Sequence, residues 1–325
     1  MHPTQKSNRS SLCPEFLLSC AQLLLAAALF APAAAGQQAA PPLEAPPAVS
    51  FQNLIPTDQI AFLNDYAGKM TKEILKDKRF RNLLKLVTPR TTFHYGSDMS
   101  LSEAGEDLLG SEPLPIEVRD GRYVTIGSHG GSYLAGRTLM WFDMKEGIAL
   151  GAIYFRPTNG EPAPTLAVFS RQLNQDALAM GDLPEAFAED LDQWALVAHV
   201  PELTVRYFIP SNGKKYVLVH DEDYCWHPDN MPAPPADRCE QMNADAADAD
   251  VNAAYFMKET HNQANATAWM LGPDQIEWIG MRDRTCVGPN PFSCRIQVTR
   301  RRTEVLIGHT MPPRSRPPSP MPPRH

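Results

Sequence analysis

Three pairs of short apolar segments, each pair joined by a turn, constrain the fold of this chain more than any other feature. The paired segments are 116–119 with 123–126, 139–143 with 148–155, and 204–209 with 216–220. The turns between them are Asp120-Gly121, Lys145-Glu146-Gly147 and Ser211-Asn212-Gly213. Glycine in a tight turn between two apolar segments is typical of a β-hairpin. Consecutive hairpins therefore predict an antiparallel sheet.

Helical patterns lie on both sides of these hairpins. Apolar residues recur at three- and four-residue steps from Ile60 to Leu75 and from Phe80 to Val87. Further helices are predicted at 184–194, 237–260, 273–286 and 293–307. Strands and helices gathered in separate runs indicate an α+β fold. We expect an antiparallel-sheet domain with flanking helices over residues 51–224, followed by a small helical domain over residues 225–310.

The first residues have the composition of a signal peptide. Lys6 and Arg9 precede an apolar run at 21–31, and the small residues Ala33-Ala34-Ala35 follow it. The run is shorter than the ~20 residues that span a bilayer. We expect a signal peptide at 1–35, an exported protein that is periplasmic or secreted, and no stable membrane insertion after cleavage. An uncleaved N-terminal anchor is the alternative.

Two segments are poor in residues that could pack. Residues 36–50 are rich in Ala and Pro, which predicts an extended linker. Residues 311–325 are rich in Pro and Arg, which predicts a disordered tail. The whole chain has 30 Lys and Arg against 37 Asp and Glu, a net charge of -7. This sign argues against a nucleic-acid partner, because such proteins carry a positive surface.

The cysteines are concentrated in the last third of the chain. Of six cysteines, those outside the predicted signal peptide are Cys225, Cys239, Cys286 and Cys294. An even set in an oxidising compartment favours two disulfides, and the closely spaced pairs of a zinc site are absent. Three pairings are possible, and proximity in sequence favours Cys225–Cys239 and Cys286–Cys294. A small helical domain needs such bridges because its core is small.

The helix predicted at 273–286 carries a distinctive stripe. Gln275, Trp278, Arg282 and Cys286 lie at positions i, i+3, i+7 and i+11, on one side of a helix. The Trp278 ring could pack while the polar ends of Gln275 and Arg282 reach neighbouring groups. Two interpretations stay open here. The stripe either maintains the fold or, together with Asp283, contacts a partner.

These residues resemble the lysozyme inhibitor LprI-like domain family over about 239–307. Val251 stands where the family usually has leucine. The matching residues are Cys239, Tyr255, Gln275, Trp278, Arg282, Asp283, Cys286, Cys294, Thr299, Arg302 and Leu306. The resemblance implies a non-enzymatic envelope protein without a cofactor that binds lysozyme-type muramidases, with Gln275, Trp278, Arg282 and Asp283 as candidate contacts. A negatively charged chain would be attracted to a basic partner of this kind.

Other residue groups support alternative functions. The segment from His220 to His227 is rich in metal-ligand side chains, or is a solvated acidic turn. Ser128-His129-Gly130-Gly131 is either an oxyanion loop or a hairpin loop, without an accompanying nucleophile elbow. Candidate carboxylates for glycoside chemistry are Asp143, Glu146, Glu161 and Glu185. The alternatives are thus an envelope hydrolase with its site in the α+β domain, or a structural or assembly factor of the envelope. Met140, Trp141 and Phe142 are expected in the sheet.

Overall fold

The computed structural model describes residues 49–95, 97–130, 136–156, 164–227, 231–264 and 271–314. The predicted signal peptide, most of the linker, the tail from 315 onward, Gly131 and Glu161 lie outside these ranges. The described residues belong to one compact unit. Among them, no helix combines the length and the apolar character needed to cross a membrane.

The strands of the described residues are β1 Thr92–Tyr95, β2 Ser97–Ser100, β3 Glu117–Arg119, β4 Tyr123–Gly127, β5 Arg137–Asp143, β6 Ile148–Phe155, β7 Thr165–Phe169, β8 Leu178–Ala179, β9 Val205–Ile209 and β10 Tyr216–Val219. Eight of them form one mixed sheet in the order β3-β4-β5-β6-β7-β9-β10-β8, and β1 pairs with β2 in a separate hairpin.

The three predicted hairpins are confirmed as β3–β4, β5–β6 and β9–β10, each antiparallel. Asp120 and Gly121 have φ of +56° and +61°, the left-handed backbone that a tight hairpin turn requires. The sheet is not antiparallel throughout, however. β7 pairs with β9 and β8 pairs with β10 in parallel. A parallel pair needs a crossover connection, and the segment with the helix predicted at 184–194 supplies it.

The α+β class is confirmed. The α-helices among the described residues are α1 Thr57–Ile60, α2 Thr71–Ile74, α3 Lys78–Val87, α4 Leu101–Gly110, α5 Glu185–Val197, α6 Ala236–Ala264, α7 Leu271–Thr285 and α8 Pro291–Ile307. The helical pattern predicted from Ile60 to Leu75 is interrupted, because Gly68 has φ +73° and the chain around Met70 bridges to Pro115. A 3₁₀ helix, Ala61–Tyr66, fills part of the interval.

Helices cover both faces of the sheet. Met140 and Phe142 of β5 pack with the N-terminal helices, whereas Leu139 and Trp141 pack with α5 on the opposite face. Strand β9 presents Tyr207 to the C-terminal helices. Tyr207 is paired with Ala167, a member of the N-terminal helical core, and paired residues share a face. Helices α6–α8 therefore cover the β9–β10 end of the face that the N-terminal helices also cover.

The ordered chain continues past the predicted start of the tail at 311. Met311 is buried in the core under α6 and α8. The Met311 amide donates to Glu304 Oε1 at 3.1 Å, and Arg314 donates to the Asn243 carbonyl at 2.6 Å. The proline content of the segment had suggested disorder, but these contacts hold the segment against the helices. Residues 311–314 thus pack against the helices rather than forming part of a disordered tail.

Candidate functional site

Two disulfides connect the elements around the C-terminal helices. Cys225–Cys239 joins the segment before α6 to the first turns of α6, and Cys286–Cys294 joins the end of α7 to the start of α8. The pairing that proximity favoured is confirmed. Each bridge closes a short loop, so it restricts the unfolded chain and holds neighbouring helix ends in register.

Asp248 on α6 is the centre of an interhelical network. Its Oδ1 accepts hydrogen bonds from Arg282 Nη1 of α7 at 3.0 Å and from Thr299 Oγ1 of α8 at 3.3 Å. Its Oδ2 lies 2.5 Å from Arg295 Nη2 of α8. Burial would lower the pKa of Arg295, but the hydrogen bond and charge of Asp248 outweigh burial and raise it. The Asp248 carboxylate therefore connects all three helices through its hydrogen bonds and ion pairs.

The ring of Trp278 lies close to two guanidinium groups. Arg282 is 5.2 Å and Arg302 5.8 Å from its centroid, within the range of cation–π attraction. Arg302 Nε also donates to Gln275 Oε1 at 3.0 Å, and its Nη2 pairs with Asp274 at 2.5 Å. The stripe that the sequence analysis singled out thus faces the other helices. This arrangement supports its role in maintaining the fold.

Other residues of the motif also face the interior of the protein, and Asp283 is the exception. Thr299 and Leu306 are buried, and Tyr255 packs against the core between the helices and the sheet. Asp283 pairs with Arg282 at 2.9 Å but keeps 61% of its side chain exposed. Of the four candidate contact residues, Asp283 is therefore the one most accessible to a partner.

Replacing Asp248 by alanine should lower the free energy of unfolding by about 2–4 kcal/mol, because two partly buried arginines and a buried threonine lose their shared acceptor. Urea denaturation followed by tryptophan fluorescence measures the change. Asp245→Ala is the matched control on the same helix, since Asp245 makes a longer contact to Arg295, at 3.4 Å. Equal destabilisation by the two substitutions would contradict the central role of Asp248.

The outer face of α7 is an exposed flank of the helix beside the inward stripe. Ile276, Ile279 and Asp283 lie on this flank at positions i, i+3 and i+7. Ile276 and Ile279 are 72% and 40% exposed there. The exposed carboxylates Glu277 and Asp283 lie next to these apolar side chains, and we include them in the outer face of α7. Sequence analysis missed this face, although two isoleucines in a polar helix were a signal for it.

The side chains from His220 to His227 have separate partners instead of a common centre. His220 is fully buried and its Nδ1 lies 2.7 Å from Asp250. Glu222 pairs with Arg206 at 2.6 Å, and the exposed His227 lies beside the Cys225 carbonyl. The described part of the chain contains no group of three His, Cys, Asp or Glu side chains arranged to hold a metal ion.

Two of the carboxylates proposed for glycoside chemistry, Asp143 and Glu146, are held in ionic contacts. Asp143 accepts from Arg122 Nε at 2.8 Å and from the amides of Lys145 and Glu146. Burial would raise the pKa of Asp143, but Arg122 and these amides outweigh burial and lower it. Asp143 is thus kept ionised, which is the wrong state for a general acid at neutral pH. Glu146 reaches the same guanidinium at 3.6 Å.

Two further residues that were candidates for a hydrolase site, His129 and Glu185, have structural roles. His129 Nδ1 lies 3.1 Å from the Gly130 carbonyl, and Arg137 Nε donates to the His129 carbonyl at 2.7 Å, so the loop is held by the neighbouring strand. Glu185 lies in the first turn of α5, where a carboxylate stabilises the helix end. Met140, Trp141 and Phe142 are fully buried, as expected for the sheet.

No family model, curated protein or solved structure gives a significant match to this chain.

Proposed function

We propose that this chain is an exported, non-enzymatic binding protein that binds lysozyme-type muramidases through the outer face of α7. Export is supported by the signal-peptide pattern together with the two disulfides, which persist in oxidising compartments. The partner class is supported by the resemblance over 239–307. Matched side chains of α7 and α8 contact one another, and Arg282 and Thr299 both donate to Asp248 of α6.

The observation that carries the proposal is the division of α7 into two sides. Gln275, Trp278 and Arg282 hold the helix against its neighbours. The neighbouring outer face exposes Ile276 and Ile279. Large apolar side chains exposed together and rimmed by polar groups are typical of a protein-binding surface. The contacts of the inward stripe thus hold α7 in place, and its outer face is exposed for contact with a partner.

The charges of the outer face indicate the chemistry of the partner. Glu277 and Asp283 place two carboxylates beside the apolar side chains, whereas Asp274 is paired with Arg302 of α8. A basic protein would be attracted to such a surface, and the chain as a whole, at -7, would add to the attraction over longer distances. Because exposed charges are screened by salt, binding should weaken as ionic strength rises.

Purified protein should slow the digestion of cell walls by a basic lysozyme at low salt, and the effect should fade at high salt. Glu277→Lys should weaken inhibition about three- to tenfold by reversing a charge at the contact. Asp107→Lys, which reverses an exposed charge on α4, is the matched control and should leave inhibition unchanged.

Absence of both inhibition and binding at low salt would contradict the proposed function. Equal loss in the two variants would show that net charge alone, and not the outer face of α7, is responsible. A sample of the protein without lysozyme completes the assay, because digestion of the walls by this sample would favour the hydrolase alternative instead.

A further inference from the structure

A cleft of about 350 Å³ lies between α6, the C-terminal end of α8 and the edge of β10. It is formed by other residues than the outer face of α7, and its volume is within the range of small-molecule sites, about 300–1,000 Å³. The floor is apolar and well supported by the core. Val217, Ala254 and Leu306 are buried beneath it, and Met257 and Ile307 are partly exposed.

The rim of the same cleft is rich in cationic and imidazole groups. Lys258 and His261 extend from the last turns of α6, Lys215 precedes β10, and His309 follows α8. Asp176 is the single carboxylate among the described residues that line the cleft. Side chains from three separate parts of the chain thus place positive charge or N–H donors around one apolar floor.

We infer that this cleft binds a single-chain carboxylate amphiphile of the fatty-acid class. The hydrocarbon chain would lie over Met257 and Ile307, whose partly exposed apolar surface it would remove from water. The carboxylate would lie at the rim beside Lys258 and His309, where an anion is favoured and an ammonium group is disfavoured. This inference does not rest on lysozyme binding, because the two surfaces share no residue.

Calorimetric titration of the full chain with dodecanoate, below its micelle-forming concentration, tests the inference. We expect one saturable site, with affinity falling about fourfold for each methylene removed in the series to decanoate and octanoate. Dodecyltrimethylammonium, which has the same chain and the opposite charge, should bind at least tenfold more weakly. Equal affinity for the two amphiphiles, affinity independent of chain length, or no binding would overturn the inference.

Two substitutions locate the site. Lys258→Glu should weaken dodecanoate about fivefold by reversing an exposed rim charge, whereas Lys72→Glu on α2 is the matched control and should have no effect. Met257→Trp should obstruct the floor and reduce binding of every chain length. If Met257→Trp does not fold, Lys258→Glu remains a sufficient test. Unchanged affinity of Lys258→Glu for dodecanoate would place the ligand elsewhere and overturn the inference.

Discussion

Replacing all four bridged cysteines by serine should lower the free energy of unfolding by about 5–6 kcal/mol. Cys225–Cys239 and Cys286–Cys294 span sequence separations of 14 and 8 residues. Loops of this size are each expected to contribute about 2.5–3 kcal/mol by restricting the unfolded chain. The effect is large for this region because the core around Tyr224 and Cys239 is small. Urea denaturation of the two forms measures the difference.

Removing one bridge at a time provides the control for this prediction. The Cys286→Ser, Cys294→Ser pair should produce about half of the total effect, and the other pair the remainder. If the four-serine protein unfolds at the same urea concentration as the native chain, the disulfides do not stabilise the C-terminal helices, and the structural account of this region is wrong.

Replacing Glu222 by glutamine should cost about 3 kcal/mol of stability at pH 7. Glu222 and Arg206 form a buried ion pair, with the two charged atoms 2.6 Å apart. Burial would raise the pKa of Glu222, but the charge of Arg206 outweighs burial and lowers the pKa to about 2. A carboxylate with a lowered pKa in the folded state stabilises the protein above its ordinary pKa and loses that contribution as the pH falls.

The pH dependence makes this second prediction specific. The stability difference between native protein and Glu222→Gln should be full at pH 7 and shrink as the pH falls from about 5 towards 2. Chemical denaturation at a series of pH values measures it. Glu73→Gln, at an exposed position on α2, is the control and should change stability little at any pH. A difference that stays constant with pH would show that the ion pair is not its source.

Local signals in the sequence were sufficient for much of the fold. The hairpin at Asp120-Gly121 was predictable because a two-residue turn fixes both strands. The parallel pairing of β7 with β9 was not, because those strands are joined through β8 and α5 and only long-range packing brings them together. Helix α4 was missed, although Ser100 and Glu103 form a capping box whose spacing is visible in the sequence.

The candidate site was predictable in part for a similar reason. Helical periodicity placed Gln275, Trp278 and Arg282 on one stripe, but periodicity cannot say whether a stripe faces a neighbouring helix or a partner. The answer depends on Asp248, which is more than 25 residues away in sequence. Because the stripe contacts the other helices, the candidate binding surface is the neighbouring outer face of α7.

The most direct test of the central claim is a calorimetric titration of lysozyme into two single variants of the full chain at low salt. Ile276→Asp changes the centre of the outer face of α7, and Leu196→Asp changes a leucine on α5 that is 49% exposed. We expect Ile276→Asp to weaken binding at least tenfold while stability is unchanged, and Leu196→Asp to bind like the native chain. Native affinity in Ile276→Asp would contradict the claim that α7 contacts the partner.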